Sequence, residues 1–288
     1  MKLELPSGRP YGALFAVGFR KSDSDAVEQI GSVIVKAGFL LTNSTGADSH
    51  ELVPNPNAAA SALVLADQGT LGEDGFDVTR ENDVAPFKPL SDIVVEGFLA
   101  DLDAPSGAEL RVDGEVWLTR SGPASSDLCA DHERNLFGYQ PRALAPRDGA
   151  AGTLPAGPPS RALRLEDLVG YDNVALNFHR RGDGFTASAA VGPQLSNGQR
   201  VTVHKAGTEA FSLTLAIPSL TAMYRTYCGH GPDKAPYWKR HSLGAMRADT
   251  VILKPDASRA EVLWRATWPW RAEAVESYRA IRVTEDNN

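Results

Sequence analysis

Cysteine and long apolar runs are both scarce in this sequence. Its 288 residues include two cysteines, Cys129 and Cys228, which are too few for a secreted disulfide scaffold and fit a reducing compartment as free thiols. No apolar run reaches the roughly 18 residues of a membrane-spanning helix, and residues 1–8 lack the apolar core of a signal peptide. We therefore expect a cytoplasmic protein with no membrane partner.

Positive charge is in deficit as well. The chain has 29 Lys and Arg residues against 36 Asp and Glu, which gives a formal net charge of −7 and a pI near 5.4. Nucleic acids are bound through clustered positive charge that displaces counterions, so we expect no nucleic-acid partner. The apolar fraction of 42% is that of a globular protein with a core of normal size.

Short apolar runs separated by turn residues predict a mainly β fold. Two β-branched runs cover residues 32–41 and 93–99. Residues 200–204 and 211–217 alternate between polar and apolar side chains, as half-buried strands do. The pattern favours an antiparallel β-sandwich-like architecture.

Turn chemistry predicts two hairpins. Asp113-Gly114 lies between two alternating arms and is typical of a type I′ turn. A Pro-Asp turn between residues 250–253 and 261–265 predicts the second hairpin. Helical patterns are few and short, and they cover residues 57–66 (with Asn57 as the N-cap), 163–169 and 272–280.

A stretch rich in proline and glycine divides the chain. Residues 141–160 hold five prolines, three glycines and almost no large apolar side chain, which is typical of a linker or long loop. This division predicts an N-terminal β domain at residues 1–140 and a C-terminal β domain at residues 161–288. The sequence leaves open whether these are separate domains or halves of one sandwich.

No motif in the sequence predicts a catalytic, metal or cofactor site. Cys129 and His132 lie close together, but no second cluster has ligand spacing with them. Cys228 and His230 lie in a Gly-rich segment that favours a turn, and no nucleophile elbow or phosphate-binding loop occurs. Carboxylate pairs for glycoside hydrolysis are spatial, and the sequence singles none out.

Tryptophan and arginine are concentrated in the C-terminal half. Trp264 and Trp268 would share one face of a strand, with Arg265 on the other. We favour core packing for this cluster, and the alternative is a partly exposed platform that binds a protein partner. The same two interpretations apply around residue 238, so the candidate partner-binding residues are Trp238, Arg240, Trp264, Arg265, Trp268 and Trp270.

The run DVAPFKPLSDIVVEG, residues 83–97, is distinctive. Two prolines flank a lysine in this run, and the expected partners of the lysine are the aspartates at either end of the loop. We predict a structural role for this signature loop. Its defining residues are Asp83, Pro86, Lys88, Pro89, Asp92 and Gly97.

This run resembles the signature of the DUF2169 family. In that family it follows an earlier strand similar to residues 33–39 (VIVKAGF), and residues 113–117 (DGEVW) resemble a further element. The family's C-terminal pattern is matched by Asp249-Thr250 with the apolar residues after it, and by residues 262–265 (VLWR). The region after Trp117 departs from the family, so no specific effector is inferred.

The resemblance implies a role in bacterial type VI secretion. Members of the family act as adaptors or chaperones that hold an effector, often through its PAAR-like domain, and help to load it onto the spike. We accordingly expect a non-catalytic adaptor whose partner is such an effector, a spike protein or both. The alternatives are a carbohydrate-active hydrolase on a β-sandwich and a structural component of a secretion or phage-like assembly.

Overall fold

The protein is mainly β, as the sequence predicts, and its architecture is sandwich-like. The computed structural model describes residues 2–21, 27–43, 49–65, 68–72, 75–80, 83–84, 91–97, 108–120, 134–135, 189–191, 195–205, 210–230, 236–270 and 278–286.

Eighteen strands lie within these ranges. They are β1 (Lys2–Glu4), β2 (Gly12–Lys21), β3 (Val27–Asn43), β4 (His50–Pro54), β5 (Gln68–Gly72), β6 (Gly75–Arg80), β7 (Ser91–Gly97), β8 (Ala108–Val112), β9 (Glu115–Arg120), β10 (Arg134–Asn135), β11 (Ala189–Val191), β12 (Arg200–Lys205), β13 (Phe211–Thr214), β14 (Leu220–His230), β15 (Pro236–Ala245), β16 (Arg247–Lys254), β17 (Arg259–Pro269) and β18 (Tyr278–Glu285). Two short 3-10 helices span Ala58–Ser61 and Pro255–Ala257.

Twelve of the described strands form one sheet, which curls like half a barrel. Ten follow the order β10-β7-β16-β17-β3-β4-β13-β12-β8-β9, while β11 pairs with β7 and β2 pairs with β3. Strand β3 is central, with β17 on one edge and both β2 and β4 on the other. Its residues 30–39 are all buried, so both faces of this β-branched strand are covered.

The second sheet has the order β1-β18-β14-β15. Its inner side chains, among them Leu220, Ala222 and Ile281, belong to the same hydrophobic core as Val35 and Trp264 of the larger sheet. Strands β5 and β6 pair only with each other among the described strands.

The predicted division into residues 1–140 and 161–288 does not correspond to two separate sheets. Strand β7 lies beside β16, β3 beside β17, and β4 beside β13, so strands from before and after the Pro/Gly-rich stretch alternate in one sheet. They also share one core. The described strands from both halves thus lie in one sheet, while residues 141–160 lie outside the described ranges and the division into domains stays a prediction.

Both predicted hairpins are confirmed. Asp113 and Gly114 have φ angles of 50° and 84° between β8 and β9, as a type I′ turn requires. The turn between β16 and β17 is the second 3-10 helix, which ends at Ser258 in the left-handed conformation.

The three short helices predicted from the sequence have different outcomes. Asn57 does cap a helix, because its side chain accepts a hydrogen bond from the Ala59 amide, but that helix is one short 3-10 turn. Residues 278–280, predicted as the end of a helix, belong to β18, since alternate residues from Ile281 onward are buried and pair with β14. Residues 163–169 and 271–277 lie outside the described ranges.

Candidate functional site

Six charged side chains meet on one face of the larger sheet, and we call them the charge network. At its centre the Lys36 ammonium contacts the Asp83 carboxylate at 2.8 Å and the Glu261 carboxylate at 2.7 Å. The Lys36 side chain is only 2% exposed. The Lys254 ammonium lies 3.5 Å from the second carboxylate oxygen of Glu261. Lys36, Asp83, Glu261 and Lys254 form one half of the charge network, and Lys254 is its more exposed end.

Arg265 forms the other half of the charge network. Its guanidinium pairs with the buried Asp249 carboxylate, which also accepts a hydrogen bond from the Thr250 hydroxyl at 3.0 Å. A second guanidinium nitrogen donates to the main-chain oxygen of Asp83 at 2.9 Å. Asp83 therefore joins the two halves, with its side chain on Lys36 and its backbone on Arg265.

The register of the central strands places these charges together. Lys36 lies opposite Leu263, so Arg265 and Glu261, two residues to either side of Leu263, share its face of β17. The apolar side chains Ile34, Ile252 and Leu263 form a small buried cluster on this face.

The segment around the first 3-10 helix covers the charge network. Two hydrogen bonds join Asp83 to Val64: the Val64 amide donates to the Asp83 side-chain carboxylate, and the Asp83 amide donates to the Val64 main-chain oxygen, both at 2.8 Å. Ser61 anchors the helix to β3 by accepting a hydrogen bond from the Gly38 amide. A Cβ atom on Gly38 would lie 2.6 Å from the Ala60 main-chain oxygen, so only glycine permits this close approach.

Three cations and three carboxylates make up the charge network, and every carboxylate has a cationic partner within 3.5 Å. Such a balanced and hydrogen-bonded set is what burial of charge requires. The arrangement is therefore structural: it fastens the covering segment to three strands of the sheet.

The charge network also unites the motifs that carry the family resemblance. Lys36, Asp83, Asp249 and Arg265 come from four separate motifs, as far as 229 residues apart in the chain, and all four side chains are buried. Sequence reasoning did not predict this convergence. A signal was present in three of the motifs, because Lys36, Asp249 and Arg265 are each the one charged residue beside apolar residues of their motif.

The signature loop is only partly within the described ranges. Asp83 is buried and paired with Lys36, and β7 contains Asp92 and Gly97, opposite Thr250 and Arg134 respectively. Pro86, Lys88 and Pro89 lie outside the described residues, as does the side chain of Asp92. The predicted pairing of Lys88 with the two aspartates therefore stays a prediction.

Four of the candidate partner-binding residues are interior. Trp264, Arg265, Trp268 and Trp270 are between 1% and 8% exposed, so they do not form an exposed platform, and the favoured alternative of core packing describes them. Trp264 donates a hydrogen bond to the Pro218 oxygen at 3.2 Å. As expected for a strand, Trp264 and Trp268 pack into the main core while Arg265 joins the charge network on the opposite face.

The other two candidates, Trp238 and Arg240, lie on β15 at the edge of the second sheet. Arg240 is exposed and Trp238 is half-buried. The outward face of this sheet, which we call the arginine face, is formed by Lys2, Glu4, Met223, Arg225, Tyr227, Trp238, Arg240, Ser242, Ala280 and Arg282.

Register and contacts define which side chains point outward. Arg225 lies opposite Arg240 and Tyr227 opposite Trp238, whose rings are 5.3 Å apart. On the inner side, Tyr224 stacks on Trp268 in the core. Since neighbouring residues of a strand point to opposite faces, Arg225 points away from the core.

The arginine face is cationic in an acidic protein. It carries four cations, Lys2, Arg225, Arg240 and Arg282, and one carboxylate, Glu4, whereas the whole chain has a net charge of −7. Arg282 donates to Glu4 at 2.8 Å, and this hydrogen bond lowers the pKa of Glu4 below its ordinary value. Within the described part of the chain, Arg225 and Arg240 have no ion-pair partner.

A cavity of about 510 Å³ lies near the junction of β3, β4 and the segment before β14. Its walls include Phe39, Leu52 and Leu215, with Arg9 and Glu285 at one side. Glu285 accepts hydrogen bonds from Arg9 and from the Tyr11 hydroxyl, the latter at 2.8 Å. Burial and this hydrogen bond raise the pKa of Tyr11 well above its ordinary value of 10.0.

Two Cys–His pairs occur in the sequence, and neither is predicted to form a site. Cys129 and His132 lie outside them, and Cys228 and His230 lie on β14, with their side chains not described. Within the described ranges no group of three His, Cys, Asp or Glu side chains is placed to hold a metal ion. The helices in those ranges include none with the length and apolarity to cross a membrane.

Comparison of the chain with family models, with curated proteins and with solved structures found no match.

Proposed function

We propose that this protein is a non-catalytic adaptor or chaperone that binds a type VI secretion effector through its PAAR-like domain and helps to load it onto the spike. The site of action would be the cytoplasm, where effectors are held before secretion. The proposal joins a physical observation, the arginine face, to the motif resemblance.

The arginine face is the observation that carries the proposal. It combines half-buried Tyr227, Trp238 and Met223 with the guanidinium groups of Arg225 and Arg240 on neighbouring strands of one sheet. Aromatic residues, Met and Arg are the residue types enriched in the centres of protein interfaces. A sheet face with this composition is suited to a folded protein partner.

The charge network supports the family part of the proposal. The charged residues of four matched motifs meet in one buried cluster, which is the pattern expected when the motifs specify one shared architecture. Their role is to hold the fold, so differences among relatives in cargo preference would arise from surfaces such as the arginine face.

The test is reconstitution with defined partners. The full-length protein is co-expressed with a type VI effector that carries a PAAR-like domain and, separately, with a spike protein from the same genome. Size-exclusion chromatography with light scattering then measures the mass of each eluting species. We expect a complex of fixed stoichiometry with the effector, and transfer of that complex to the spike.

The matched control is the same effector with its PAAR-like domain deleted, which should elute separately from the protein. Separate elution of the protein from every PAAR-like effector and spike protein of that genome, at micromolar concentrations, would contradict the proposed function.

A further inference from the structure

Two arginines face each other across neighbouring strands in the arginine face. Arg225 of β14 and Arg240 of β15 are directly paired in the antiparallel register, so their side chains project from the same face. Like charges in such a position destabilise a sheet, because the Cβ atoms of paired residues are only about 4.5–5.5 Å apart. An unfavourable pair on a surface is accounted for if the opposite charge comes from outside the chain.

We propose that Arg225 and Arg240 together bind carboxylates on an acidic surface of the protein partner; this inference rests on the proposed adaptor function and names the chemistry of its cargo. Each guanidinium presents a planar fork of donors that matches a carboxylate in two parallel hydrogen bonds. Two adjacent forks form a receptor for one or two Asp or Glu side chains.

The neighbours of the pair fit an interface centre. Tyr227 and Trp238 lie two residues away along the two strands, and Met223 lies on the other side of Arg225. All three are half-buried, so they offer apolar contact area beside the charges.

Arg282 is distinguished from the pair by its partner within the chain. Its guanidinium is already bound to Glu4 while its side chain stays 47% exposed. We assign it to the rim of the surface, where ion pairs contribute little to affinity.

An acidic protein is favoured over nucleic acid as the occupant. A rigid nucleic-acid duplex would extend beyond this small face onto the rest of the chain, which has 36 acidic against 29 basic residues overall, and Glu4 lies within the face itself. A nucleic acid tracks an extended basic stripe, whereas the cations without an ion-pair partner among the described residues of this face include two neighbouring arginines beside aromatic side chains.

The experiment uses the charge reversals Arg225→Glu and Arg240→Glu in the full-length protein. The matched control is Arg259→Glu, an identical change at an exposed arginine at the start of β17. Binding of fluorescein-labelled poly-L-glutamate is measured by anisotropy, and binding of the PAAR-like effector by titration calorimetry, each at low and at moderate salt. Melting temperatures are recorded for all variants.

We expect each reversal at the pair to weaken the binding of poly-L-glutamate and of the effector at least tenfold, and to reduce the salt dependence. The control should stay within twofold of the wild type. The melting temperature should be unchanged or raised, because a carboxylate opposite the remaining arginine removes the repulsion. A loss of binding with an unchanged fold would thus be a loss of recognition.

The outcomes separate this inference from the proposed function. Effector binding that is equal in the wild type and in both variants would keep the adaptor function and overturn the acidic partner. Poly-L-glutamate binding that depends on the pair, with no effector binding, would support the acidic partner and contradict the effector assignment. The inference is also overturned if the wild type binds neither poly-L-glutamate nor the effector. It is overturned as well if a DNA duplex binds through the same pair more tightly than these acidic ligands do. A third contrary result is a dimer of this chain, detected by sedimentation, that Arg240→Glu dissociates.

Discussion

Replacement of Asp83 by alanine tests whether the charge network holds the fold together. The change removes a carboxylate that accepts hydrogen bonds from Lys36 and from the Val64 amide, both at 2.8 Å, in a site where Asp83 and Lys36 are almost fully buried. Loss of one partner from a buried ion pair typically costs about 3–5 kcal/mol. Lys36 keeps Glu261, which limits the loss, while the Val64 amide is left without its acceptor, which adds to it.

We therefore expect Asp83→Ala to lower the free energy of unfolding by about 3–5 kcal/mol, a large part of the roughly 5–15 kcal/mol of a typical protein. Urea denaturation followed by tryptophan fluorescence measures it, since Trp264 is in the adjoining core. Asp83→Asn should give a smaller loss, because the amide oxygen still accepts from Val64 and only the charge is gone.

The control is Glu4→Ala, which also removes a carboxylate bound to an arginine, but on the surface beside Arg282. Its urea midpoint should be that of the wild type, because water and salt screen an exposed pair. An Asp83→Ala midpoint equal to that of the wild type, with an equal slope, would refute the reasoning: it would mean that the covering segment contributes nothing to the stability of the sheet.

Three further predictions concern backbone and pH. Gly38→Ala should cost about 1–3 kcal/mol in urea denaturation, because its Cβ would lie 2.6 Å from the Ala60 oxygen, and Ala60→Gly should recover only part of the loss. Gly114→Ala should cost about 1 kcal/mol by the same assay, since φ is +84° there. Tyr11→Phe should cost about 1–2 kcal/mol near neutral pH through the lost bond to Glu285. That difference should begin to shrink as the pH rises above about 10, because the contribution of a group with a raised folded pKa is complete below the unfolded pKa and is lost progressively as the pH rises through the folded pKa.

Each of these has a contrary result. Unchanged stability of Gly38→Ala would mean that the 3-10 helix is free to move away from β3. Unchanged stability of Gly114→Ala would mean that the hairpin does not need its type I′ turn. A Tyr11→Phe difference that stays constant up to pH 11 would mean that Tyr11 loses its proton equally in the folded and unfolded states.

The strands that the sequence predicted are those whose local pattern is strong. The β-branched run at 32–41 became part of β3, and the Asp113-Gly114 turn formed the predicted hairpin. In each case the preference operates within a few residues: β-branched side chains fit a pleated surface, and the Asp-Gly pair accepts positive φ angles.

Strands β14 and β15 were not predicted, and the reason lies in their outward face. Arg225 and Arg240 interrupt the apolar pattern, and Gly229, which suggested a turn, instead occupies the strand with φ of +101° where the register shifts. A glycine in a strand-like sequence can mark a bulge or other irregularity within the strand as well as the end of the strand. The candidate site was therefore predicted only in part, through Trp238 and Arg240.

What the sequence by itself determined is the mainly β class, the two hairpins and the set of residues that matter, including Asp83, Arg265 and the tryptophans. What only the tertiary structure decided is their environment: Trp268 is buried, Arg240 is exposed, and Lys36 pairs with an aspartate 47 residues away. The physical reason is the separation along the chain over which each kind of interaction acts. Backbone preferences and turn chemistry act between near neighbours, whereas burial and charge pairing depend on which strand lies beside which, and on which face of a strand meets the second sheet.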